Sequence, residues 1–155
     1  MKPSGRTALS ALIGITGAVL GSSAALAGEV ERLRIEAVVP VRCGIEVTHH
    51  SVTLDLAAGF DRARVATIAE SCNSASGYTL TFNSASAGAL VRGGVAVHYD
   101  AHYGAKAMAL DEPVVLGRAG PAFGVRHDFA VSAPAVSGLA PGTYQDTVTI
   151  TIAAR

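Results

Sequence analysis

Five histidines, His49, His50, His98, His102 and His127, are the side chains in this sequence best suited to hold a metal. His98 and His102 would share one face of a helix. They fall instead in or beside the run VAVHYDAHY at 95–103, which alternates as a strand does, and four strand residues span ~13 Å. One ion cannot bridge that distance unless the strand breaks between the two ligands. His49 and His50 are neighbours, which a strand points to opposite faces. The spacing predicts scattered surface histidines and no metal site, leaving only the convergence of loop residues as a route to one.

Other chemistry is equally sparse. Asp111 and Glu112 are adjacent carboxylates before Pro113, whereas a catalytic pair must flank its substrate. No G-x-S-x-G, phosphate-cradling glycine loop or H-E-x-x-H is present. Gly93-Gly94 precedes a strand pattern and reads as a turn. The expectation is a protein that is not an enzyme and carries no cofactor.

The cysteines depend on the compartment. Lys2 and Arg6 open the chain, residues 8–20 are apolar, and Ala25-Leu26-Ala27 fits an A-x-A cleavage site. Residues 1–27 therefore read as a secretory signal peptide, with a retained anchor as the alternative. The apolar run is too short to span a bilayer. Cleavage would leave residues 28–155 as a single domain with Cys43 and Cys72. In an oxidising compartment an even pair reads as a disulfide, worth roughly 3.6 kcal/mol in the chain-entropy model. Metal thiolates are the alternative, but no C-x-x-C or Cys-His spacing favours them. Without Lys2 and Arg6 the chain keeps ten Lys/Arg against twelve Asp/Glu, a net charge of −2. No basic run points to nucleic acid, and no later apolar stretch is long enough for a membrane span.

Strand patterns dominate what must position these residues. Residues 32–41 place Leu33, Ile35, Ala37, Val39 and Val41 on one parity. Further strands are expected at 52–56, 64–71, 77–82, 95–103, 113–116 and 123–131. The last, 144–152, puts Tyr144, Val148, Ile150 and Ile152 on one face, interrupted by Asp146, with Thr147, Thr149 and Thr151 on the other. Two copies of NSAS, at 73–76 and 83–86, bracket one strand as turn chemistry. No stretch keeps a helical period for three turns. Short strands punctuated by Gly, Pro, Ser and Asn predict an all-β, antiparallel β-sandwich of immunoglobulin-like type, with an up-and-down barrel as the alternative.

The order of these pieces resembles a known family. An alternating segment leads to Cys43, a second cysteine closes the strand IAESC at 68–72, VHYDAHYG follows at 97–104, and PGTYQDTVTITI closes at 141–152. Together they resemble the spore coat U domain, the pilin domain of the archaic chaperone–usher pathway. The resemblance implies an incomplete sandwich whose uncovered groove is filled first by a periplasmic chaperone and then by the N-terminal strand of another subunit. Residues 28–42 would be that donor segment, with Leu33, Ile35, Ala37, Val39 and Val41 entering the groove. Tyr144, Val148, Ile150 and Ile152 would form the groove edge. The implied partners are other copies or related pilin subunits, the chaperone and an outer-membrane usher, and the implied location is a cell-surface fibre or coat. The competing reading is a monomeric secreted binding module, a lectin-like adhesin or metal carrier, in which residues 33–41 complete their own sandwich.

Overall fold

The computed structural model describes residues 28–155; the signal segment expected at 1–27 lies outside them. Val38–Arg155 forms one unit, which carries every strand among the described residues. The strands are β1 (Cys43–His49), β2 (Phe60–Cys72), β3 (Tyr78–Ser84), β4 (Ala89–Arg92), β5 (Val95–His98), β6 (Asp100–Tyr103), β7 (Lys106–Met108), β8 (Val114–Arg118), β9 (Ala122–Ala133) and β10 (Val148–Ala154). All pairings are antiparallel. One sheet runs β1-β2-β9-β6-β7, a second β10-β3-β8, and β4-β5 is a separate hairpin.

Period-two alternation builds the core. Tyr78, Leu80 and Phe82 of β3 point inward, as do Ala66 and Ile68 of β2. Phe82 joins the two sheets, its ring centroid 4.8 Å from Tyr103 and 6.0 Å from Phe129. The result is an all-β, immunoglobulin-like antiparallel sandwich. The disulfide Cys43–Cys72 ties β1 to β2 at paired positions and so fixes their register. Gly77 turns the chain into β3 with φ +85°, and a Cβ there would collide with the Arg118 carbonyl.

Several strand expectations change. The run 52–56 is not a strand. Asp55 Oδ1 instead accepts hydrogen bonds from the amides of Ala57 (2.8 Å) and Ala58 (3.3 Å), turning the chain. The run 95–103 breaks at Tyr99, so His98 pairs with Ala89 in the hairpin while His102 pairs with Ala130 in the large sheet. Residues 32–41 form no strand, and the strand expected to approach Cys43 begins at it.

Glu70 occupies an inward position on β2 and is fully buried. Tyr78 and Tyr103 each donate a hydroxyl to it at 2.5 Å, and Arg118 donates Nε and Nη2 at 3.1 and 3.0 Å. Burial alone would raise its pKa. The hydrogen bonds from Arg118, Tyr103 and Tyr78 outweigh burial and hold it below the ordinary 4.5. Burial, then the neighbouring carboxylate, pushes Tyr78 up to about 12. Because β2 lies in one sheet and β3 and β8 in the other, this network cross-links the layers.

A folded pKa below the unfolded value means the stabilisation is complete above about pH 5 and is lost as pH falls through the folded value. Urea titrations at decreasing pH should show wild-type stability falling in acid, with a shallower fall in Glu70→Gln. At neutral pH the same variant should lose ~2 kcal/mol, discounted because Arg118 is partly exposed.

Candidate docking groove

β1 is an edge of the five-stranded sheet and β10 an edge of the three-stranded one. Along this seam no strand among the described residues joins them. A cleft of about 350 Å³ opens there, lined by Ile45, Val47 and His49 of β1, Val148 and Ile150 of β10, and Val65, Ala66, Ile68, Phe129 and Asp146. A second space of about 210 Å³ shares Val65, Phe129, Asp146 and Val148 with it and extends to Leu54, Leu90, Tyr99 and Val131. Ile45, Val65, Leu90, Val148, Ile150 and Ile152 pack against the core yet stay half-exposed. An edge strand beside them presents unpaired backbone donors and acceptors.

The expected groove-edge residues divide. Val148, Ile150 and Ile152 share the inward face of β10, paired to β3 opposite Ser84, Phe82 and Leu80. Tyr144 does not belong to that strand. Val91 and Gln145 exchange backbone hydrogen bonds at 3.0 and 3.2 Å, holding this stretch on β4, and the chain transfers to β3 only at Val148. The Tyr144 hydroxyl donates to the Ala140 carbonyl at 3.1 Å, and Arg92 lies over its ring at 5.9 Å.

Asp146, which interrupts the apolar parity, is the hinge of that transfer. Oδ2 accepts from Ser84 Oγ at 2.6 Å and Tyr99 OH at 2.7 Å; Oδ1 accepts from the amides of Ser86 at 3.0 Å and Thr147 at 2.7 Å. Burial would raise its pKa, but these four donors hold it below the ordinary 3.8. Burial, then Asp146, pushes Tyr99 above its ordinary value. With every carboxylate lone pair engaged inside the fold, Asp146 is committed to holding the structure, and the groove offers mainly apolar surface and strand edges, with His49 beside them.

Leu33 (88% exposed), Ile35 (85%), Val39 (83%) and Val41 (61%) are uncovered, as are Ala37 and the opposite-parity Val38. Arg34 and Glu36 form an exposed ion pair at 3.0 Å. Where this segment meets the sandwich, Asn73 grips it. Its Oδ1 accepts from the Arg42 amide at 2.7 Å, its Nδ2 donates to the Pro40 carbonyl at 3.0 Å, and its own amide donates to the Arg42 carbonyl at 3.1 Å. In the sequence Asn73 reads only as a turn former, and its adjacency to Cys72 is the one local signal of this role. His50 and His102 hydrogen-bond to Thr67 and Ser132 on the large sheet. Among the described residues no three His, Cys, Asp or Glu side chains converge as a metal site. Nor is any helix there long and apolar enough to cross a membrane.

No family model matches this chain, and no curated protein matches it. Among solved structures it is similar to the minor tip subunit HdaB of the E. coli Hda pilus, at 14% identity over 70% of this chain and 79% of that chain, with a TM-score of 0.38.

Asp146→Ala would leave two hydroxyls and two amides without their acceptor. A loss of about 2 kcal/mol is expected in urea unfolding, and a smaller one for Asp146→Asn, which keeps one acceptor oxygen.

Proposed function

We propose that this protein is a structural, non-catalytic subunit of a bacterial surface fibre or coat. Residues 28–42 of one copy, or of a related subunit, act as the donor strand that fills the groove between β1 and β10 of the next. The observation that carries this reading is the pairing of an apolar seam between two sheet edges with an uncovered segment of matching alternation. Strand addition supplies main-chain hydrogen bonds at the edge, while alternate side chains fill the seam. Burying Leu33, Ile35, Val39 and Val41 contributes roughly 6–12 kcal/mol per joint, from which the cost of ordering the segment is subtracted.

The junction with β1 favours a neighbour's groove over the chain's own. Only Arg42 separates Val41 from Cys43, where β1 begins in disulfide register with β2. A hairpin needs about two turn residues. Folding residues 33–41 back beside β1 would therefore require unpairing the start of β1 and releasing the Asn73 grip. Export through the periplasm, guarded by a chaperone that occupies the groove until an usher assembles the fibre, completes the proposal. The chaperone and usher follow from the resemblance to the spore coat U domain.

The alternation sets the test. A charge at an odd position of 33–41 enters the seam without a partner and costs several kcal/mol per joint. Ile35→Asp or Val39→Asp should abolish the heat- and detergent-resistant ladder on unheated gels while chaperone co-purification persists. Arg34→Asp, on the outward parity, should leave the ladder intact. A wild-type chain that stays strictly monomeric after release from its chaperone, and melts cooperatively alone, would favour the self-completed binding module and overturn the fibre reading.

A further inference from the structure

We propose that the two clefts flanking the β6–β7 turn form a binding surface for an acidic polysaccharide bearing repeated carboxylate or sulfate groups. One cleft, about 390 Å³, is lined by Arg62, Arg64, Arg126, His127 and Asp128 beside Gly104. The other, about 330 Å³, opens between the edges β7 and β8 and brings in Lys106 and Arg118. His127 lines both and forms their common wall. Gly104, at the turn, lies so close that a Cβ would stand 3.3 Å from His127 Nδ1.

Charge is segregated here. In a chain whose residues 28–155 are net acidic, five of the ten Lys/Arg line these two clefts, and Asp128 is the only carboxylate lining either. Arg64 is paired with Asp128 at 3.4 Å and Arg118 with the buried Glu70 at 3.0 Å. Arg62, Lys106 and Arg126 have no ion-pair partner among the described residues. Glu46 stands two strands from Arg126 with Ala69 between them, and the buried Glu70 lies 3.6 Å from His127 Nε2.

The backbone is distorted to aim one of these cations. Arg62 has φ +44°, a left-handed conformation rare outside glycine, at a register shift between Phe60 and Ala63. Its amide donates to Ser132 Oγ at 2.8 Å, Ser132 donates to Asp61 at 3.0 Å, and its guanidinium reaches the Gly104 carbonyl at 3.1 Å. A second register shift, between Arg64 and Ala66, follows at once. Bulges re-aim side chains, and strained backbone is kept where the surroundings fix it. Here they bring two guanidinium forks to the cleft beside the turn.

Guanidinium forks suit planar and tetrahedral oxyanions, and clefts sharing a wall suit successive charged groups on one chain. Single-stranded nucleic acid would want a row of stacking rings. Of the rings within the clefts, Tyr103 is buried and committed to Glu70 and His127 packs against it at 5.1 Å, and among the described Phe and Tyr side chains only Phe123, further along β9, stands exposed. One exposed ring serves a single sugar face.

This surface belongs to the folded Val38–Arg155 unit and does not depend on the proposed assembly. The purified disulfide-bonded protein should be titrated against heparin, polygalacturonate, neutral dextran and a poly-thymidylate of matched charge at about 0.15 M salt. Heparin and polygalacturonate should bind and dextran should not. The triple variant Arg62→Glu/Lys106→Glu/Arg126→Glu should lose about tenfold or more, while Arg32→Glu/Arg34→Glu/Arg92→Glu, with the same charge change at residues that line neither cleft, should stay within about twofold. If the first variant fails to fold, the exposed pair Lys106→Ala/Arg126→Ala replaces it and should lose severalfold. Equal losses in both triple variants, wild-type affinity in the cleft variants, or no polysaccharide binding would overturn the proposal. Poly-thymidylate binding as tight as heparin would reassign the surface to nucleic acid.

Discussion

A sandwich whose first and last described strands both remain sheet edges along one seam leaves its core uncovered there. β1 and β10 stand on the same side of the fold, each hydrogen-bonded to a single neighbour, with half-exposed Ile45, Val65, Val148 and Ile150 between them. An edge beside uncovered apolar surface invites another chain. The proposed donor segment has the alternation that such a seam accepts, and the fold anchors its root firmly, through Cys43–Cys72 and Asn73.

An open seam places the burden of joining the layers elsewhere. Two carboxylates share it with Phe82. Glu70 gathers Tyr78 and Arg118 from the small sheet and Tyr103 from its own, while Asp146 gathers Ser84 at the end of β3 and Tyr99 between β5 and β6. Both are satisfied on every side, which lets charged groups occupy positions that alternation assigns to apolar ones. Asp146 also sets where β10 begins, and therefore how much of the seam that strand borders.

Period-two alternation made much of this legible. The strands near 64–71, 123–131 and the end of the chain follow directly from it, and the inward row Val148, Ile150, Ile152 lies where the parity puts it. Other features needed the third dimension. A segment waiting for a partner has the same pattern as a paired strand, so residues 32–41 obscured β1, whose Ile45 and Val47 continue the alternation. Leu54 and Leu56 mimic a strand that Asp55 turns aside. The break at Tyr99 sends His98 and His102 to different sheets, which four-residue spacing cannot reveal. Apart from the Thr147 amide beside Asp146, the partners of Glu70, Asn73 and Asp146 lie 8 to 62 residues away, so no local pattern announces them.

The identity of the chain that fills the seam is the most direct question. A photo-crosslinking residue in place of Val47, on the groove wall, would report it in assembled protein made from equal parts ¹⁴N- and ¹⁵N-labelled subunits. Mass spectrometry of the crosslinked peptides should find residues 33–41 joined to the Val47 position, with light and heavy peptides mixed, as occupation by a neighbouring chain requires. Crosslinks to 33–41 in which both peptides always carry the same label would mean that each chain fills its own groove, and would contradict the account.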